Sequence, residues 1–103
     1  MSYELEFTKS ALKEWRDLDP GIREQFKKQL HKRLENPHVP SARLHGSGMG
    51  DLYKVKLRDA GYRLVYEVLD QRIVVLVLAV AKRDKGLAYH LAERRKRAIL
   101  PER

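Results

Sequence analysis

The chain has no cysteine among its 103 residues. Disulfide frameworks, thiolate metal centres and cysteine nucleophiles are therefore excluded before any pattern is read. The four histidines, His31, His38, His45 and His90, fall at none of the spacings that bring two imidazoles onto one metal, and no carboxylate cluster stands in for them. No metal and no cofactor are expected. Long apolar runs are also missing: the longest, Ile73 to Ala81, is far short of the roughly 20 residues that cross a bilayer. The first residues show no basic stretch followed by an apolar one, so no secretory signal is expected. The expected setting is the cytoplasm, without a membrane partner. Internal repeats and low-complexity tracts are absent.

Negative charge is the other scarce commodity. Lys and Arg number 22 against 14 Asp and Glu, a net charge of +8. Such a balance favours nucleic acid, an anionic surface or an acidic protein as partner. The excess is uneven. Residues 51–103 hold 13 Lys and Arg against 7 Asp and Glu, whereas residues 1–50 hold 9 against 7, so a binding face is expected mainly from the second half. Hydrophobic residues make up 43%, enough for one modest core and one domain over residues 1–103.

What is present is concentrated in LYKVKLRDAGYRLVY, residues 52–66. Read as a strand, residues 52–58 send Tyr53, Val55 and Leu57 to one side and Lys54, Lys56 and Arg58 to the other. After a turn at Asp59-Ala60-Gly61, Tyr62, Leu64, Tyr66 and Val68 alternate with Arg63, Val65 and Glu67. Like charges gathered on one face of a sheet cost stability unless something neutralises them, and a polyanion is the obvious candidate.

The remaining elements follow from periodicity. Tyr3, Leu5 and Phe7 alternate with polar residues and predict a first strand. Thr8 can cap a helix carrying Ala11, Leu12, Trp15 and Leu18. Asp19-Pro20 stops it and starts a second, with Asp19 as cap and Ile22, Phe26, Leu30 and Leu34 every four residues. Residues 38–50 have a loop composition. Strands are predicted at about 52–58, 62–69 and 72–81. The last has no alternation and should be buried on both faces, hence central. Residues 87–100 predict a final helix, with Leu87, Leu91, Arg95 and Ala98 on one stripe and the basic run Arg94-Arg95-Lys96-Arg97. That stripe is thin, so the helix should be the least firmly held element. The order β-α-α-β-β-β-α predicts a small α+β domain, with two helices on one side of a mostly antiparallel sheet and a C-terminal helix.

Five segments in order, ALKEWRDL, IREQFKKQL, RLHG, LYKVKLRDAGYRLVYEV and VLAVAKRDKGLAYHLA, together resemble the RelE family of bacterial toxin–antitoxin toxins. The resemblance runs nearly end to end and implies a fold related to the microbial ribonucleases. It also implies ribosome-dependent cleavage of messenger RNA in the decoding site. An acidic RelB-like antitoxin would neutralise the toxin, and the antitoxin complex would bind operator DNA. The family's hairpin lysines fall on Lys54 and Lys56, its arginines on Arg63 and Arg83, and the tyrosine opening its last helix on Tyr89. Arg58, Lys82, Lys85, Arg94 and Arg95 are expected to contact nucleic acid. The tail, RRKRAILPER, extends past that of the familiar members.

These residue types suit the chemistry. Internal attack on a phosphodiester needs a proton taken from the ribose 2′-hydroxyl, charge stabilised on the phosphorane, and a proton for the leaving 5′-oxygen. No histidine–glutamate pair is evident to serve as acid and base. Arginines can instead hold the phosphate with bidentate bonds, and a lysine crowded by other cations has its pKa lowered. In this scheme Lys54 or Tyr89 is the base, Lys56 and Arg63 hold the phosphate, and Arg83 stabilises or protonates the leaving oxygen. Tyr89 can alternatively stack on a base.

Each residue also has a plainer reading. The lysines can form a solvated sheet face, Arg83 an ordinary connector charge, Tyr89 a cover for the sheet edge, and Arg94 to Arg97 a solvated helix end. His90 beside Tyr89 points elsewhere on a helix and is peripheral. Two rival functions stand beside the ribonuclease: a ParE-like inhibitor of DNA gyrase on the same fold, and a pure nucleic-acid-binding module.

Overall fold

The computed structural model describes residues 2–45, 51–84 and 86–99, with side chains placed as far as Lys96. Its elements are β1 (Glu4–Phe7), α1 (Lys9–Arg16), α2 (Pro20–Glu35), a 3-10 turn at Pro40–Ala42, β2 (Leu52–Leu57), β3 (Tyr62–Leu69), β4 (Val74–Lys82) and α3 (Leu87–Ile99). The sheet order is β1-β4-β3-β2. The unalternating apolar run therefore sits between two neighbours, as a strand buried on both faces must. β1 pairs with β4 in parallel, and the other two pairings are antiparallel, so the sheet is mixed.

Two apolar layers sandwich it. On one face, Val55, Leu64, Tyr66, Val75, Val77 and Val80 pack with Ala11, Phe26 and Leu30 of α1 and α2. On the other, Leu44, Leu52, Val65, Leu78 and Ala79 pack with Ala88 and Ala92 of α3. The second layer covers part of the face that carries the cations: Val65 is fully buried, and Glu67 is half-buried and paired with Lys96 at 3.5 Å. Its α3 stripe is also shifted from the expected one. Ala88, Ala92 and Arg95 point inward, while Leu87 is 41% exposed. Leu91 and Arg95 of the expected stripe do face the sheet, but the buried contact is made by Ala88 and Ala92, which let the helix lie close to it. Ala98 of the expected stripe has no described side chain.

Local chemistry accounts for the element ends. Thr8 caps α1, its side chain accepting from the Ala11 N–H at 3.2 Å. Pro20 begins α2, where its missing N–H costs nothing. Asp19 occupies the cap position, but its side chain makes no capping bond, and Arg23 instead holds the Leu18 carbonyl at 2.6 Å. The stretch after α2 is more than a loop. Ala42 and Leu44 are buried, Arg43 bridges to Tyr53, and the Leu44 N–H donates to the Leu52 carbonyl at 2.9 Å. Residues 46–50 of the expected loop, and the tail from residue 100, lie outside the described residues. Gly61 closes the β2–β3 turn at φ 73°, a backbone that glycine adopts without steric cost.

One irregularity matters for everything beyond it. Along β3–β4, Tyr66 pairs with Val77 but Val65 pairs with Ala79. Leu78 is thus an extra residue, a bulge that puts Leu78 and Ala79 on the α3 side together. It also exchanges the faces of every β4 residue that follows. Val80 joins the core beneath α1 and α2, and Ala81 turns to the α3 side.

Candidate functional site

The hairpin sets the first half of the site. In the β2–β3 register Lys56 lies directly opposite Arg63, and Lys54 opposite Val65. Cross-strand partners share a face, so Lys54, Lys56 and Arg63 stand on the α3 side of the sheet, at the end that the buried part of α3 leaves open. Arg58 follows in the exposed turn. The bulge sets the second half. Arg63 pairs with Ala81 on its other side, and two residues on, the Arg83 N–H donates to the Gly61 carbonyl at 2.6 Å. Because the bulge has reversed the phase of β4, Arg83 continues on the Arg63 side.

Arg63, Lys82, Arg83 and Tyr89 line one cavity of about 230 Å³, together with Asp84 and the backbone that opens α3. Gly86, at φ 75°, turns the chain from the strand into that helix, and its carbonyl accepts from the Tyr89 and His90 N–H groups, both at 3.0 Å. Tyr89 is half-buried and leans on the α3-side core.

The electrostatics show how closely the cations are gathered. The Lys56 amine is held below the ordinary lysine pKa, first by the Lys54 ammonium, then by partial burial, and then by Arg63, Arg58 and Arg83. Among the described residues, none of these five cations has a carboxylate within ion-pair distance. Arg63 Nη1 is buried and, among the described residues, has no hydrogen-bond partner. A buried guanidinium nitrogen left open in this way is a vacant donor, suited to an oxyanion. What the arrangement can do chemically is grip a phosphate from several sides and withstand added negative charge on it.

The structure thus brings Lys56, Arg63, Arg83 and Tyr89 to one end of the sheet, with Lys54 one pleat away and Lys82 on the cavity wall. Arg94 is exposed on α3, and Lys85 lies outside the described residues. Arg95 is a correction. Its guanidinium bonds both carboxylate oxygens of Glu14 at 2.9 Å and the Leu78 carbonyl at 2.7 Å, so it faces the protein and is not available to nucleic acid. Glu14 was not singled out by sequence reasoning. A signal was present: with Ala11, Trp15 and Leu18 it completes a helical apolar stripe in which a carboxylate is out of place. Among the described residues, no group of three His, Cys, Asp or Glu is placed to hold a metal, and no helix is long and apolar enough to cross a membrane.

Comparison with known proteins gives the family and the fold. Residues 5–86 match the family described as the ParE toxin of type II toxin–antitoxin system, parDE. The chain is 48% identical over 95 residues to the mRNA interferase toxin RelE of Escherichia coli (strain K12), covering 92% of this chain and 98% of that protein. Among solved structures, a mutant of the E. coli toxin RelE in the free state superposes with a TM-score of 0.83 at 47% identity, covering 92% of this chain and 98% of that one. The toxin of the intact E. coli RelBE toxin–antitoxin complex does so at 0.76 and 49% identity, covering 82% of this chain and all of that one. On residues 5–86 and on near half identity along most of its length, the chain belongs to the RelE family of toxins, within the wider group named for ParE.

Proposed function

We propose that the chain is the toxin of a type II toxin–antitoxin pair and a ribosome-dependent endoribonuclease that cleaves messenger RNA in the ribosomal A site. The observation that carries this reading is the unneutralised cluster of Lys54, Lys56, Arg63 and Arg83 beside Tyr89, in a chain 48% identical to an mRNA interferase. Lys54 or Tyr89 takes the 2′-hydroxyl proton as the 2′-oxygen attacks phosphorus. Lys56 and Arg63 hold the phosphate oxygens while charge builds on them. Arg83 stabilises the departing 5′-oxygen, which takes its proton from Lys56 or from solvent. The P–O5′ bond breaks, leaving a 2′,3′-cyclic phosphate and a 5′-hydroxyl. A site with no strong base depends on how its substrate is held, and the ribosome supplies that orientation. Arg58, Lys82 and Arg94 are exposed around it and suit contact with RNA phosphates. An acidic RelB-like antitoxin is the fitting inhibitor of so basic a surface, and the complex of the two is the form that meets operator DNA.

The test is to program ribosomes with a defined message, add the protein and map each cut to the nucleotide. Cleavage in the A site, lost on omission of ribosomes, is the expected result. Comparing Lys54→Ala with Tyr89→Phe in a single turnover separates base from stacking platform, and full chemical-step activity in both ends the mechanism. The ParE family match favours one other reading, inhibition of DNA gyrase. A supercoiling assay decides it: blocked supercoiling with intact messages replaces the ribonuclease.

A further inference from the structure

Strand β1 ends at Phe7 opposite Val77, and the Thr8 N–H makes the last bond of that edge, to the Val77 carbonyl at 3.1 Å. Beyond this point, among the described residues, β4 has no strand on its outer side. The Arg83–Gly61 bond makes residues 61 and 83 a hydrogen-bonded pair, so by alternation Leu64 and Val80 are a non-bonded pair. The Val80 N–H therefore points away from β3, toward the vacant edge, and the Leu78 carbonyl accepts its bond there too.

Two side chains fill the place of the missing strand. Glu14 Oε1 accepts from the Val80 N–H at 3.0 Å, and Arg95 Nη1 donates to the Leu78 carbonyl at 2.7 Å. The two are also joined to each other, Arg95 Nη1 to Oε1 and Nη2 to Oε2, both at 2.9 Å. Only 26% of the Glu14 side chain and 22% of Arg95 is exposed, so these bonds are largely sheltered from water. An acceptor comes from α1 and a donor from α3, and they close on the two backbone groups that flank Ala79, immediately after the bulged residue Leu78.

We infer that Glu14 and Arg95 are positioning residues that hold the β4 bulge and thereby place Arg83 in the cationic cavity. With no bulge, Arg63 would pair with Val80, and Ala81 and Arg83 would turn to the face covered by α1 and α2. With it, Arg83 lies beside Arg63. Neither Glu14 nor Arg95 lines the cavity, so both act through β4. The inference rests on the reading of Arg83 as part of the reacting site, and its structural half stands apart from that reading.

The experiment compares wild type with Glu14→Gln and Glu14→Ala. Two quantities are followed: the Hα–Hα cross-strand contacts of Leu64 with Val80 and Tyr62 with Lys82 by NMR, and kcat and KM for cleavage on programmed ribosomes. Glutamine keeps an acceptor for the Val80 N–H, and alanine removes it. Expected in Glu14→Ala are weakened Leu64–Val80 and Tyr62–Lys82 contacts and a kcat lowered by about 10²-fold with KM little changed, as a misplaced group near the chemistry gives. Glu14→Gln is expected to recover most of both. A pairing identical to wild type in Glu14→Ala overturns the inference whatever the rate does, and so does a shifted pairing with undiminished kcat. If Glu14→Ala does not fold, Arg95→Met, which removes the donor to the Leu78 carbonyl, is followed through the same contacts and decides the inference in the same way. Wild-type protein that cuts no message would refute the proposed function, while the NMR contacts would still test the clamp.

Discussion

The two ends of the sheet treat their polar groups in opposite ways. Near the β3–β4 turn cations meet carboxylates. Arg72 meets Glu6 at 3.2 Å, His38 meets Asp70 at 2.9 Å, and Tyr3 donates to Asp70 at 2.6 Å. Arg33 lies over the Tyr66 ring and bonds its hydroxyl. At the β2–β3 end, Lys54, Lys56, Arg58, Arg63 and Arg83 crowd together with no ion-pair partner among the described residues. Asp59 in the turn and Asp84 on the cavity wall stand at this end too, yet neither closes an ion pair with these cations, which leaves them open to an anion. Stability is gathered at one end and strained at the other, as sites that bind charge require.

The strongest way to break this contrast is Arg63→Met, which keeps much of the apolar stem and removes the charge. Message cleavage should fall by about 10²–10³-fold, the loss usual for one donor to a developing oxyanion. The melting temperature should hold or rise, because a like charge and an unpartnered buried nitrogen leave together. Single-turnover cleavage and a thermal melt measure the pair. A melt that drops along with the rate makes Arg63 a structural residue.

The opposite end should answer in the opposite sense. The buried Tyr66 hydroxyl donates to the Pro37 carbonyl at 2.8 Å and accepts from Arg33 at 2.9 Å. Tyr66→Phe strands the Pro37 carbonyl, while Arg33 keeps its bond to the Lys54 carbonyl, and should cost about 1–3 kcal/mol in denaturant unfolding. Cleavage by the folded fraction should be unchanged. A large loss of rate at unchanged stability would join the two ends into one functional unit.

How much of this was legible follows from what each pattern encodes. Alternation in the hairpin placed Lys54 and Lys56 opposite a core face and made Arg63 their cross-strand neighbour, because a two-residue period carries through a tight turn. The apolar run after it identified β4 as central but hid its bulge: where every residue is apolar, no alternation records a phase. Arg83 could therefore be placed only by resemblance, as could Tyr89. The α3 stripe was right at Leu91 and Arg95 but missed Ala88 and Ala92, because alanines leave almost no hydrophobic signal, and Arg95 looked like part of a basic run although its partner sits on α1, 81 residues away. The parallel pairing of β1 with β4 was invisible too, since a half-buried strand does not announce its neighbour.

The crowding itself can be measured through Lys56. Its amine is held below the ordinary lysine value, with Lys54 the largest single cause. Lys54→Met should move that titration back up, read from the Lys56 Cε carbon shift. The linkage has a definite sign. Below its lowered folded pKa, Lys56 is charged in both states and the repulsion it feels in the fold opposes folding. Between that value and the ordinary one the unfolded chain binds more protons, so stability rises with pH. The alkaline rise in wild-type stability should shrink in Lys54→Met, and an unaltered rise would mean that the cations are farther apart than the geometry places them.

The smallest effect belongs to Ile73, in the turn at the neutralised end. It holds φ 55°, a left-handed backbone rare for a β-branched residue, with its N–H on the Asp70 carbonyl and its own carbonyl accepting from Glu4. That conformation costs an ordinary side chain about 1–2 kcal/mol. Glycine removes the cost but adds freedom to the unfolded chain worth about 0.5–1 kcal/mol. Because the side chain is 38% exposed, little packing is lost with it. Ile73→Gly should therefore stabilise the protein slightly, by about 0.5–1 kcal/mol, and leave the cleavage rate alone. Ile73 lies at the end of the sheet away from the cationic cluster, so relieving its strain should cost no activity. Should Ile73→Gly slow cleavage, the turn and the cationic end must be coupled along β4.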